Sequence, residues 1–413
     1  MHSHLSRKQR LELLLDLAAT YRGITRRELA GSLDRDPSRI VPESGVPKID
    51  LVVHLAGILD WTAQQVLEFI WVVEPAASPP GAAGDFATLQ TASRQAHVDG
   101  RYAEAVTLAQ QAHRAAGTSE ERALACVREG CAWDGLGHYR RSLEAVQRGL
   151  AEPEAPLDVR LILESNLANG YYVGWRVVEA RAVASDLIEW YQTSQPDAYR
   201  DRATHAFAHY VRGNARRRMR ITDAQGQRDH MRSALGDLTT AESLLLEVAR
   251  DSDEDSWAGI ASTCRNGIYE VEVALGQREP LDALGRLHES LDAVTDVSTY
   301  ATGDWLESYG WGCIFGCNIA LRHLSDEREL HRYMGIFTTK ADEIAQRLDN
   351  WALRERVFTM EYIRTERLSE WAGRDVPLTF DDEDIRALIG TMARFPRFFE
   401  TGVRLLEGAR RIR

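Results

Sequence analysis

At 413 residues the chain is about two to three times the length of an ordinary domain, which excludes a single small core. A hydrophobic fraction of 44% and a charged fraction of 27% exclude a disordered chain, and 12 Pro with 30 Gly exclude collagen-like or linker-dominated architectures. Fifty basic and 62 acidic residues give a net charge of −12, so any contact with nucleic acid or membrane has to be local. Five cysteines, an odd number in a chain with no secretory apolar segment, point to a reducing cytoplasm rather than a disulfide framework. The longest apolar run is far below the ~18 residues of a membrane span, so no membrane partner is expected.

The first elements are short helices. Residues 8–20 have amphipathic spacing, and residues 24–33 form a second helix with Thr25 as N-cap and Glu28 completing a capping box. Asp36-Pro37 reads as an N-cap with proline at the first helical position, opening a third helix over Pro37-Ser38-Arg39-Ile40. Residues 44–59 supply an entry loop and a fourth helix, and residues 62–71 a fifth. Residues 1–73 carry equal numbers of basic and acidic side chains, so the −12 belongs entirely to residues 74–413.

The apolar order Leu29, Ala30, Leu33, Ile40, Leu51, Leu55, Ala56, Leu59 and Val66 resembles the Cro and phage-repressor type of helix-turn-helix. That resemblance implies a DNA-binding domain over residues 6–73, used as a homodimer on a pseudo-palindromic site. It implies that Arg26 grips a phosphate and that Ser38 and Arg39 on the recognition helix meet base edges, with Arg35 and Lys48 flanking. Pro42 shortens the recognition helix, and Glu28, Asp34, Asp36, Glu43 and Asp50 offset the local basic charge. Dimerisation or partner docking is therefore the alternative role for this domain.

Residues 74–85 combine three Pro, two Gly and small side chains and read as the linker. Helical periodicity then dominates, strict apolar alternation is absent, and a sheet has nowhere to form. Gly100-Arg-Tyr102, Gly137-His-Tyr139 and Gly174-Trp175 recur 37 residues apart, each closing one helix and opening the next. These turns resemble those of the tetratricopeptide repeat, with Gly130, Trp133 and Asn169-Gly170-Tyr171-Tyr172 answering to its first helix. Longer helical pairs follow at 202–219 with 228–250, 256–275 with 280–294, 299–323 with 325–349, and 351–372 with 382–411, the last helix running 396–411. The expected fold is all-α: a five-helix helix-turn-helix domain and an α-solenoid over residues 86–413.

Asn166, Asn169, Asn214, Asn266 and Asn318 recur in first helices of successive hairpins, the last three at 52-residue intervals. Stacked amides on one solenoid face can hold the backbone of an extended peptide. They can equally be consensus residues of the repeat with no ligand. In peptide-receptor regulators that join a repressor-type domain to such repeats, asparagines line the concave groove, and the chain is similar to that group in architecture. His205, His209, Arg212 and Arg216 form a stripe on one helix, extended by Arg217, Arg218 and Arg220, but Asn214 lies roughly 160° away from it. Stripe and asparagine cannot face the same groove. Cys313 and Cys317, one turn apart, read as packing residues rather than metal ligands, and the ten tryptophans as core or hairpin wedges. Phosphate-loop, nucleophile-elbow and zinc-protease motifs are missing, so neither an enzyme nor a cofactor is expected. The sequence thus points to a cytoplasmic transcriptional regulator sensing a peptide or protein, with a non-catalytic repeat adaptor or scaffold as the alternative.

Overall fold

A computed structural model describes residues 6–59, 61, 63–71, 84–219, 226–251, 256–374, 376–408 and 410–411. The chain divides into two compact units, Met1–Ala83 and Gly84–Arg413. Residues 74–83 of the expected linker, and Arg220, lie outside the described residues. The architecture is all-α, with one two-residue strand pair as its only sheet among the described residues.

Four helices build the first unit: α1 (Arg7–Arg22), α2 (Arg26–Ser32), α3 (Ile49–Leu59) and α4 (Ala63–Ile70). Reciprocal capping boxes start α1 (Ser6 with Gln9) and α2 (Thr25 with Glu28), each satisfying backbone N–H groups that the first turn leaves open. Leu11, Leu14, Leu15, Leu29, Leu33, Ile40, Leu55, Val66 and Ile70 close into one buried core. The helix expected over Pro37–Ile40 is instead a turn, and the unit has four helices among the described residues rather than five. The Asp36 carboxylate accepts hydrogen bonds from Ser38 N at 2.7 Å and Ser38 Oγ at 2.6 Å, an Asx turn that competes with helix propagation. Pro42 then bars the α region at Val41. Beyond it, Gly45 (φ 67°) lies so close to α1 that a Cβ there would stand 2.6 Å from Lys8 N.

The second unit stacks helical hairpins: α5 (Phe86–Val98) with α6 (Tyr102–Ala115), α7 (Ser119–Gly135) with α8 (Tyr139–Leu150), and α9 (Leu157–Val173) with α10 (Val177–Thr193). Longer pairs follow: α11 (Tyr199–Met219) with α12 (Gln227–Arg250), α13 (Ser256–Ala274) with α14 (Pro280–Ser290), and α15 (Asp304–His323) with α16 (Glu327–Leu348). The unit closes with α17 (Trp351–Ala372), α18 (Asp382–Arg394) and α19 (Phe399–Gly408). Gly100 (φ 74°) and Gly137 (φ 68°) take the left-handed turn position the repeat demands. In the third hairpin, however, Gly174 remains right-handed and Trp175 (φ 61°) occupies that position, so the structural period lengthens by one residue. The expected last helix 396–411 is also broken. A short 3-10 turn over Pro396–Phe398 precedes α19, and Arg410–Arg411 pairs in parallel with Thr379–Phe380.

The last helices pack back on the first hairpins. Trp351, at the start of α17, is wedged between Gly137 and Gly390, where a Cβ would stand 2.5 and 2.6 Å from its ring. Ala352 N donates to Tyr139 Oη at 3.0 Å, and the Tyr139 ring meets Phe395. Residues more than 200 positions apart are thereby held in one apolar cluster that also takes in Val173 and Phe380.

Candidate functional site

In the first unit the five residues expected at DNA divide into two groups. Arg26 is ion-paired with Asp16 and donates to Glu12 O at 3.3 Å, and Arg35 is ion-paired with Asp50. Ser38 is committed to Asp36. Arg39 and Lys48 are exposed, and their side chains have no partner among the described residues; Arg27, beside Arg26, is in the same condition. Burial of Leu33 and Ile40 on either side anchors the turn that carries Ser38 and Arg39 outward.

The asparagine series also divides. Asn214, only 2% exposed, donates to Tyr210 O at 3.1 Å and accepts from Arg217 Nε at 3.4 Å. Arg217 Nη1 reaches Glu270 of α13 at 2.8 Å, and the same carboxylate accepts from Asn318 at 3.2 Å and from Arg322 at 3.0 Å. Asn266 donates to Ser308 O of α15 at 3.3 Å. The 52-residue ladder therefore ties α11, α13 and α15 together by buried polar bonds. Its three amide nitrogens all donate within the stack. On α9, Asn166 donates to Ile162 O at 3.0 Å and lies 3.8 Å from Cys131 Sγ, whereas the half-buried Asn169 amide has no partner among the described residues.

Asn169 lies three residues beyond Asn166, whose side-chain oxygen faces Cys131 of α7, and Arg128 and Asp134 stand three residues to either side of Cys131 on that helix. Arg128 Nε is buried without a hydrogen-bond partner, and burial first, then neighbouring Arg94 and Arg200, lowers its pKa. Asp134 is pushed up to about 7 by burial and by the charge of Glu307. The packed pair α7–α9 thus carries an unsatisfied amide and an unpaired guanidinium, while the Asp134 carboxyl lies within reach of Glu307 of α15.

The His/Arg stripe of α11 turns toward its own hairpin partner. His209 Nδ1 lies 3.2 Å from the Asp237 carboxylate of α12, Arg212 reaches it at 2.7 and 3.1 Å, and Arg216 at 2.5 Å. Burial alone would raise the Asp237 pKa, but the hydrogen bonds and positive charges outweigh it and the pKa is lowered. His205 packs on His209 and Tyr191 and is pushed down to about 4, by burial first and then by His209 and Arg212. The stripe is a hairpin ion-pair network. Cys313 and Cys317 lie fully buried in the apolar core around Phe337, which raises both thiols. In the lining of a cleft of about 510 Å³ between α17 and α19, Tyr362 is paired with Glu366 and Arg404 with Glu400.

Sequence reasoning missed one constellation. Arg218, 9% exposed, stacks on Tyr172 (3.9 Å to the ring centroid) and Trp175 (4.4 Å), and Arg356 of α17 stacks on the same Trp175 at 4.7 Å. Trp175 falling one residue late in the repeat was the available signal.

No family model and no curated protein matches the chain. Among solved structures the chain is similar to PlcR of Bacillus thuringiensis in complex with the peptide PapR7 and DNA, at 14% identity and a TM-score of 0.37, over 78% of this chain and 96% of that one. At that distance the likeness assigns no residue or ligand to this chain. No helix among the described residues is long and apolar enough to cross a membrane.

Proposed function

We propose that the chain is a transcriptional regulator whose first unit contacts DNA, as a homodimer, and whose repeat unit binds a peptide or an extended protein segment. Helices α7 and α9, which pack on one another, carry the reading: Asn169 of α9 offers a free donor and acceptor to a peptide backbone, and Arg128 of α7 offers an unpaired cation. Asn214, Asn266 and Asn318 bond within α11, α13 and α15 and are assigned no ligand contact. In the first unit Arg27, Arg39 and Lys48 are the cations left for phosphate, and Ser38 and Arg39 sit on the outward turn. A gel shift of the purified full chain across genomic fragments tests the DNA half. Selective retention of some fragments, weakened by Arg39→Ala, is the predicted outcome; uniform retention unaffected by Arg39→Ala contradicts it. The peptide half is tested by mass spectrometry of what co-purifies with the wild-type chain and is lost from Asn169→Ala.

A second reading, a repeat adaptor whose first unit docks a protein, is favoured by the turn that stands where a recognition helix would run. A single stoichiometric protein partner, retained without DNA, decides for it.

A further inference from the structure

A guanidinium that leaves water needs an anion or a full set of acceptors, because burying an isolated charge is strongly unfavourable. Among the described residues Arg218 has neither. Its one hydrogen bond to them is from Nη1 to Tyr172 O at 3.0 Å, and its guanidinium carbon lies over the Tyr172 and Trp175 rings. The charged groups facing it are Arg217, Arg356 and Glu355. Arg217 is paired with Glu270, and Glu355 is held at both oxygens by Arg356. Arg218 is therefore a buried cation among cations, with no carboxylate of its own among the described residues. Burial pushes its pKa down to about 10, which leaves it protonated at neutral pH.

An independent observation lies beside it. Trp175 adopts a left-handed backbone (φ 61°), a costly conformation for a bulky side chain, where the two earlier hairpins place glycine. Its ring is thereby sandwiched between Arg218 and Arg356, which come from α11 and α17. Trp175 and Arg356 are half-buried, so solvent reaches the edge of the cluster. Strain of this kind at a sandwiched, uncompensated cation marks a preorganised receptor for negative charge.

We infer that Arg218, Arg356, Trp175 and Tyr172 form an oxyanion-binding site in the repeat unit, in which a carboxylate or a phosphate supplies the counter-charge that Arg218 lacks. The inference stands on the repeat unit alone and is independent of DNA binding and of the α7–α9 pair. Thermal melting of the full chain tests it, with three probes at matched ionic strength: sodium phosphate, an acetylated tripeptide with a free C-terminal carboxylate, and the same tripeptide amidated. The melting temperature should rise saturably with phosphate or with the free-acid peptide, the responding probe identifying the source, and not with the amide. Arg218→Met should stay folded without anion, and its half-saturating anion concentration should be at least roughly tenfold higher. Arg218→Lys, which keeps charge but loses the planar fork, should fall between. No anion response in wild type, an unchanged response in Arg218→Met, or failure of Arg218→Met to fold, which would make the cation structural, overturns the site.

Discussion

At the scale of single residues, Trp175 sets backbone strain against ring contacts. Its φ of 61° costs on the order of 1 kcal/mol for a non-glycine residue, while stacking under two guanidiniums returns about 0.5–2 kcal/mol each. Trp175→Gly loses the ring but relieves the strain, whereas Trp175→Ala loses the ring and keeps it. Chemical denaturation should rank wild type above the glycine variant and the glycine variant about 1 kcal/mol above the alanine variant. An alanine variant as stable as the glycine variant would remove the strain from the account. The capping box at Thr25 was legible because its determinants lie within four residues; the equally local one at Ser6 was not read. Asn214, Asn266 and Asn318 were legible as a series but not as to role, since only tertiary packing puts Glu270 and Ser308 within their reach.

At the scale of elements, the α11–α12 hairpin is held by a buried carboxylate surrounded by cations. Asp237→Asn leaves His209, Arg212 and Arg216 facing one another without it, and should cost about 3–5 kcal/mol in denaturant unfolding. A loss below about 1 kcal/mol would reduce the network to solvated pairs. The same hairpin carries an acid-sensitive group. His205 has a folded pKa of about 4 against an ordinary value of 6.5, so the unfolded chain binds the proton first. Its contribution is intact above pH 6.5 and is lost as pH falls from 6.5 to about 4. His205→Gln should flatten that part of the melting profile, and an unchanged profile contradicts the assignment. Helix spacing in the sequence placed the stripe correctly on one face, but Asp237 lies 21–32 residues away, and periodicity alone does not choose between a hairpin partner and a ligand. The missing helix over Pro37–Ile40 shows the reverse case. Asp36-Pro37 is a good helix start, yet the Asx turn and Pro42 allow no hydrogen-bonded second turn to follow it.

At the scale of the whole molecule, the repeat unit is closed by contacts that join its first hairpins to α15, α17 and α18. Trp351→Ala should cost about 3 kcal/mol by emptying the space between Gly137 and Gly390, and should raise hydrogen exchange in both α8 and α18. Exchange confined to α17 would show that the closure does not depend on this ring. Carboxyls lie in the same region: Asp134 and Asp304 are both raised to about 7, by burial first and then by Glu307. Groups with raised folded pKa values contribute fully below their unfolded value of 3.8 and lose that contribution as pH rises through 7. Asp134→Asn should therefore raise the melting temperature at pH 8 and have no effect at pH 3.5. The all-α class and the hairpin order of the repeat unit were legible from periodicity. Its closure was not, because contacts over 200 residues apart leave no local pattern. The most direct test of the regulator reading is an equilibrium titration of the full chain against its best-selected duplex and a shuffled duplex of equal length, at physiological salt. The account predicts on the order of a thousandfold preference for the selected duplex, largely lost in Arg39→Ala. Equal affinity for both duplexes, unchanged by Arg39→Ala, would contradict it.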